Sequence, residues 1–204
     1  MLGCSVPTDA LDVEALYAGA TPVSLERLID PFTEAEAKAA VRAMNRNSSP
    51  GPDGFGPGFY TAAWPVVAGA VMNFAAEFHQ GTAALERLNR SYIVMLPKHG
   101  AARRPGDYRP ICLQNCSLKI ASKMLTTRHQ QEIPKLIDVD QKGFIRGCSI
   151  SENFIYAMEL VQCSNQRKLP TLVLKLDFAK AFDSVDWGSL AVVMRARGFP
   201  QQWC

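Results

Sequence analysis

Leu172-Val173-Leu174-Lys175-Leu176-Asp177-Phe178-Ala179-Lys180-Ala181-Phe182-Asp183-Ser184-Val185-Asp186-Trp187 is the stretch whose reading decides the fold. Its first half alternates. Leu172, Leu174 and Leu176 fall on one face of an expected strand, and Val173, Lys175 and Asp177 on the other. The strand therefore ends by presenting a carboxylate opposite the leucine stripe. Burying an unpaired charge costs several kcal/mol or more, so packing does not explain an acid at that place. Holding a metal ion does. Asp186 or Ser184 then caps a last helix over about 187–197.

Working outward, the chain before this stretch predicts further helices and one hairpin. Thr33-Glu34-Ala35-Glu36 has the form of a capping box. Ala37, Val41 and Met44 follow at helical spacing, which gives an amphipathic helix over 34–45. Residues 59–80, with Trp64, Phe74 and Phe78 as candidate core, read as a buried helix bent after Pro65. Residues 89–96 and 107–113 read as two strands of a hairpin. Its turn carries Lys98, His99, Arg103 and Arg104, and Lys98 and Arg109 bracket it, so both are candidates for a single phosphate group. Residues 117–132 form a helix with Leu118, Ala121, Leu125 and His129 inward, and Lys119, Lys123 and Arg128 outside. Residues 150–166 form another, with Phe154, Ala157 and Val161 inward. Residues 1–31, interrupted by Pro7, Pro22 and Pro31, are a loosely patterned lead-in.

Two glycine-bearing loops stand out. Ser49-Pro50-Gly51-Pro52-Asp53-Gly54-Phe55 combines fixed and permissive φ angles. It reads either as a linker between helices or as a loop whose backbone approaches a nucleic-acid chain. Residues 141–147, Gln-Lys-Gly-Phe-Ile-Arg-Gly, form a glycine-spaced turn with two cations, Lys142 and Arg146.

Composition narrows the classes. The chain has 204 residues, is 48% hydrophobic and 20% charged, and carries a net charge of +3. A packed core is expected, and a basic groove is permitted but not required. The six cysteines form no CxxC pair and the three histidines are scattered, so a zinc site is not expected. No apolar run approaches the ~20 residues that span a bilayer, and no secretory signal is present. The reading is an intracellular protein with reduced thiols.

Five segments match one pattern in order. They are 49–55, Ile93-Val94-Met95-Leu96-Pro97-Lys98, Tyr108-Arg109-Pro110-Ile111-Cys112-Leu113, residues 141–150, and Lys175-Leu176-Asp177 through Trp187. Together they resemble the reverse transcriptase domain of non-LTR (LINE-type) retrotransposons, especially those common in plant genomes. The resemblance implies an α+β right-hand polymerase fold. Residues 1–32 would be lead-in, 33–170 the fingers-type region, and 171–204 the start of the palm with its first strand. It implies two Mg²⁺ ions held by Asp177 and by the backbone carbonyl of Phe178. Phe182 would sit where the family keeps an aromatic against the sugar 2′ position. Lys98 and Arg109 match positions that contact the incoming deoxynucleoside triphosphate. Gly51, Asp53 and Gly54 resemble a loop that touches template or primer. Arg103, Arg104, Lys119, Lys123 and Arg146 are further candidates for contact with an RNA template and DNA primer. Asp183 and Asp186 read as structural.

The chain also departs from the pattern. Cys148 stands where a basic residue is expected two positions after Arg146. No match is found for the segment lining the nucleotide pocket, for the hairpin with paired aspartates, for the thumb or for an endonuclease. The expectation is therefore a palm cut short and a chain inactive by itself. Two alternatives stay open: a non-catalytic nucleic-acid-binding remnant, and the product of a decayed element without a selected role.

Overall fold

The computed structural model describes residues 12–17, 19, 23–177 and 184–204. The chain divides into two compact units, Asp30–Arg128 and, separately, the segment up to Ile29 with His129–Cys204.

The unit Asp30–Arg128 begins with helix α2 (Glu34–Arg42), which follows the capping box foreseen in the sequence. Thr33 Oγ1 accepts from the Glu36 N–H at 3.3 Å, and a Glu36 carboxylate oxygen accepts from the Thr33 N–H at 2.9 Å. The expected helix over 59–80 is two helices, α3 (Pro57–Ala62) and α4 (Trp64–His79). The break falls at Ala63, before Pro65 rather than after it. Pro65 thus sits in the first turn of α4, where its missing N–H removes no helical bond. A single-turn helix α5 (Leu85–Leu88) leads into strands β1 (Ser91–Pro97) and β2 (Tyr108–Gln114). These pair antiparallel, with Leu96 opposite Arg109 and Val94 opposite Ile111. Helix α6 (Cys116–Leu136) contributes its residues up to Arg128 to this unit.

The core of this unit is Ala37, Ala40 and Val41 of α2, Trp64, Val71 and Ala75 of α4, and Cys116, Ile120 and Met124 of α6. Each large side chain hidden here is worth roughly 1.5–3 kcal/mol. Phe74 and Phe78 are only half-buried, so Trp64 alone of the three candidate aromatics is core.

The expected inner stripe of α6 is rotated. Cys116, Ile120, Ala121, Met124 and Arg128 are buried, whereas Leu118, Leu125 and His129 are half-buried. Arg128 was expected outside and lies inside because its charge is paired and hydrogen-bonded there. Its Nε donates to one Glu36 carboxylate oxygen at 2.7 Å and its Nη2 to the other at 2.9 Å. The carbonyls of Asp30 and Pro31 accept from Nη1 and Nη2 respectively, and the Phe32 ring lies 4.3 Å from its guanidinium carbon. This pairing holds the Glu36 carboxyl down at about 2. A buried charge is tolerated when it is paired and hydrogen-bonded in this manner.

In the second unit, α1 (Val13–Leu16) and a 3₁₀ turn (Glu26–Ile29) lie in the expected lead-in, and Leu25 and Leu28 are buried. Helix α7 (Ile150–Gln166) matches its expected bounds. Helix α8 (Trp187–Ala196) is capped by Asp186, whose carboxylate accepts from the Ser189 N–H at 2.7 Å. That bond lowers the Asp186 pKa. Arg197 donates to the Leu136 carbonyl at 2.7 Å, and His129 stands edge-on to Phe199 with ring centroids 5.6 Å apart. Burial lowers the His129 pKa.

Two expectations fail here. Residues 171–177 form neither strand nor helix, and Leu172 and Leu174 are 92% and 73% exposed. A strand needs a ladder partner, and none of the described residues supplies one. Phe154 and Val161 of α7 face outward, not inward, and with Ala157 and Met158 they line an open apolar groove of about 470 Å³. The described cysteines, Cys112, Cys116, Cys148, Cys163 and Cys204, are all free thiols. Among the described residues no helix is long and apolar enough to cross a membrane.

Candidate nucleic-acid interface

The basic residues nominated from the sequence gather in three places. The first is the β1–β2 turn. Opposed residues of an antiparallel pair share a face, so Leu96 and Arg109 do, and Lys98, two residues on from Leu96, joins them. The Lys98 N–H extends the ladder by donating to the Asp107 carbonyl at 2.8 Å. The Lys98 ammonium, however, folds back over the turn and donates to the Gly106 carbonyl at 2.6 Å. Asp107 organises the rest of the turn. One of its carboxylate oxygens accepts from the Arg103 and Arg104 N–H groups at 3.0 and 2.9 Å, and the other lies 3.7 Å from His99. The two backbone N–H bonds lower the Asp107 pKa. The side chains of Arg103 and Arg104 are thereby set on a fixed turn, Arg109 stands on the adjoining strand β2, and all three are exposed to solvent.

The second place is loop 49–55 with the start of α6. Gly51 is buried with its Cα against the backbone of Gln114 and Asn115, and a Cβ there would overlap both. Gly54 has φ +77°, which a glycine adopts without strain. The Asp53 carboxylate accepts from the Phe55 N–H at 3.0 Å and tightens the turn. Asn115, which the sequence reading passed over, is buried beside the loop. Its side-chain oxygen accepts from the Asp53 N–H at 3.2 Å, and its amide donates to the Leu88 carbonyl at 3.1 Å. The Lys119 ammonium donates to the Ser49 carbonyl at 3.0 Å. The one sequence signal for Asn115 is its place directly before a helix, where asparagine is a common boundary residue. Burial against the core pushes the neighbouring Cys116 thiol up to about 11 and the Tyr60 hydroxyl up to about 12, so neither ionises near neutrality.

The third place is the turn 141–150. Gln130 bridges it, accepting from the Arg146 N–H at 2.9 Å and donating to the Phe144 carbonyl at 3.0 Å. Gly147 has φ +83°, and the Arg146 side chain is exposed. Cys148 is an exposed thiol.

Asp177 is exposed at the end of the irregular stretch 171–177. Phe178, Phe182 and Asp183 lie outside the described residues. Among the described residues, no three His, Cys, Asp or Glu side chains converge as a metal site requires.

The profile of the reverse transcriptase (RNA-dependent DNA polymerase) family matches residues 96–204, just over half the chain. The chain belongs to the reverse transcriptase family. Its relatives point to mobile elements. It is 31% identical over 194 residues to the transposon TX1 uncharacterized 149 kDa protein of Xenopus laevis, covering 93% of this chain and 15% of that protein. It is 28% identical over 178 residues to the Pol polyprotein of the type-2 retrotransposable element R2DM of Drosophila melanogaster, covering 87% of this chain and 16% of that protein. The corresponding figures for the type-1 element R1 of Bradysia coprophila are 27% identity, 89% and 18%. The chain thus spans less than a fifth of the length of these relatives. It is a reverse transcriptase domain of the non-LTR retrotransposon kind, mixed helix with a small antiparallel sheet.

Proposed function

We propose that this reverse transcriptase chain supplies the fingers (33–170, after a lead-in of 1–32) and the opening of the palm (171–204) of an RNA-directed DNA polymerase. The observation that carries this is the family match over 96–204, which takes in Lys98, Arg109 and Asp177 in one colinear segment. On this reading, Arg109 and Lys98 hold the triphosphate of the incoming deoxynucleotide, and Phe182 borders its sugar. Lys98 spends one N–H on the Gly106 carbonyl, and its ammonium carries two more for a phosphate oxygen. Gly51, Asp53, Gly54, Arg103, Arg104, Lys119, Lys123 and Arg146 face the RNA template and DNA primer. Assignment to a plant element rests on the wording of the motifs alone, and flanking genomic sequence tests it.

Asp177 and the Phe178 carbonyl are the assigned Mg²⁺ ligands. Bound Mg²⁺ supplies charge neutralisation and an activated primer hydroxyl. Two such ions need several oxygen ligands. Asp177 meets no converging partners among the described residues, so the described residues do not by themselves make a two-ion site. The sequence also contains no Asp-Asp pair. The 204 residues alone are expected not to extend a primer. A primer-extension assay with an RNA template and Mg²⁺ is the test, and template-dependent incorporation would overturn the expectation.

Nucleic-acid binding without catalysis is the second reading, favoured by the Asp107-organised basic turn. Filter binding of single-stranded RNA should then show affinity at low salt that falls steeply as salt rises. Absence of low-salt binding would remove this reading.

A further inference from the structure

Beside loop 49–55 lies an open depression of about 320 Å³ in the unit Asp30–Arg128. One wall comes from the two flanks of the loop, Ser48 and Pro57. The other comes from Gln114 and from Lys119, Ser122 and Lys123 of α6. Lys119 and Lys123, at i and i+4, lie on one face of the helix. Both are half-buried, which limits the water that screens them. Among the described residues no carboxylate lines the depression. Lys119 spends one N–H on the Ser49 carbonyl, and an ammonium carries three.

The depression is built rather than accidental. Its loop wall is fastened by Asn115, which holds the Asp53 N–H and the Leu88 carbonyl with one side chain. Gly51 has no room for a side chain between the loop and the Gln114–Asn115 backbone. The loop is therefore held at one distance from the two lysines. We infer that this depression seats one backbone phosphate of a single-stranded nucleic acid, with Lys119 and Lys123 as its cations and Asn115 as the residue that positions the wall. Ser122 and Gln114 line the same space, and a hydroxyl and an amide are neutral donors for the other phosphate oxygens. The inference rests on the nucleic-acid-binding reading above and narrows it to named atoms.

The test is binding of a short single-stranded RNA to the 204-residue chain across a salt series. Lys123→Gln should weaken low-salt affinity about tenfold. It should also reduce the magnitude of the log–log salt slope by about 0.7, the loss of one phosphate contact. Lys38→Gln on α2 removes the same charge away from the depression and should change affinity less than twofold. Asn115→Ala should reproduce the Lys123→Gln slope while circular dichroism shows the helices intact. Hydrogen exchange at the Asp53 amide should rise in the same variant. Wild-type slope and affinity in Lys123→Gln overturn the subsite while leaving RNA binding in place. Failure of the wild type to bind RNA sinks the broader reading instead. Inorganic triphosphate displacing RNA from the wild type but not from Lys123→Gln would mark the depression as a nucleotide-triphosphate site and overturn the assignment to a backbone phosphate.

Discussion

Helix α6 hides Ile120 and Met124 at 1% and 2% exposure, whereas α7, only a little shorter, leaves Phe154 66% and Met158 58% exposed. Both helices were legible as helices, because apolar spacing and caps are local. What differs is supply. The apolar face of α6 meets α2 and α4, which bring Val41, Trp64 and Val71 to it. No described residue brings a comparable set to α7. Periodicity states which residues ask for burial, and the rest of the fold decides which receive it.

The comparison breaks most severely at Arg128. Arg128→Ala leaves Glu36 unpaired and empties a buried site, and should cost the unit Asp30–Arg128 about 3–5 kcal/mol in urea unfolding. A loss below 1 kcal/mol would mean that the pair adds little to the core. Next comes Gly51→Ala, where the added methyl must displace the Asn115 backbone. A loss of about 1–3 kcal/mol is expected from that overpacking. Acid provides a graded version of the first experiment. The Glu36 pKa is lowered on folding, so its contribution is complete above the unfolded value of 4.5 and is lost as pH falls toward about 2. Melting temperature should therefore drop between about pH 5 and 2, and Glu36→Gln should flatten part of that slope. The smallest effect is expected at α7, where Phe154→Ser should shift unfolding by less than about 0.5 kcal/mol. A larger loss there would show that the α7 face is covered after all.

Legibility in the sequence followed range. Thr33 and Glu36 stand three residues apart, as do Asp186 and Ser189, so the first cap was foreseen and the second was narrowed to Asp186 or Ser184. The hairpin was found because its two strands and the basic turn between them are contiguous in the chain. Arg128 was misassigned because its partner Glu36 stands 92 residues earlier. Asn115 went unnoticed for a similar reason, since Asp53 and Leu88 are 62 and 27 residues away. The alternation of Leu172, Leu174 and Leu176 was read as a strand, yet alternation describes only the side-chain half of a strand. The backbone half requires a second chain segment, and no described segment pairs with 171–177. The carboxylate nominated at its end, Asp177, is accordingly a residue with a family position but no fixed surroundings among the described residues.

The Asp107 knot in the β1–β2 turn has one further consequence. By gathering the Arg103 and Arg104 N–H groups and His99 around a single carboxylate, it spends the conformational entropy of the turn during folding. A polyanion arriving at Arg103, Arg104 and Arg109 would then have only the side chains to order, because the backbone beneath them is already set. The carboxylate subtracts one unit from the charge of the turn, and in return it gives that charge a fixed shape.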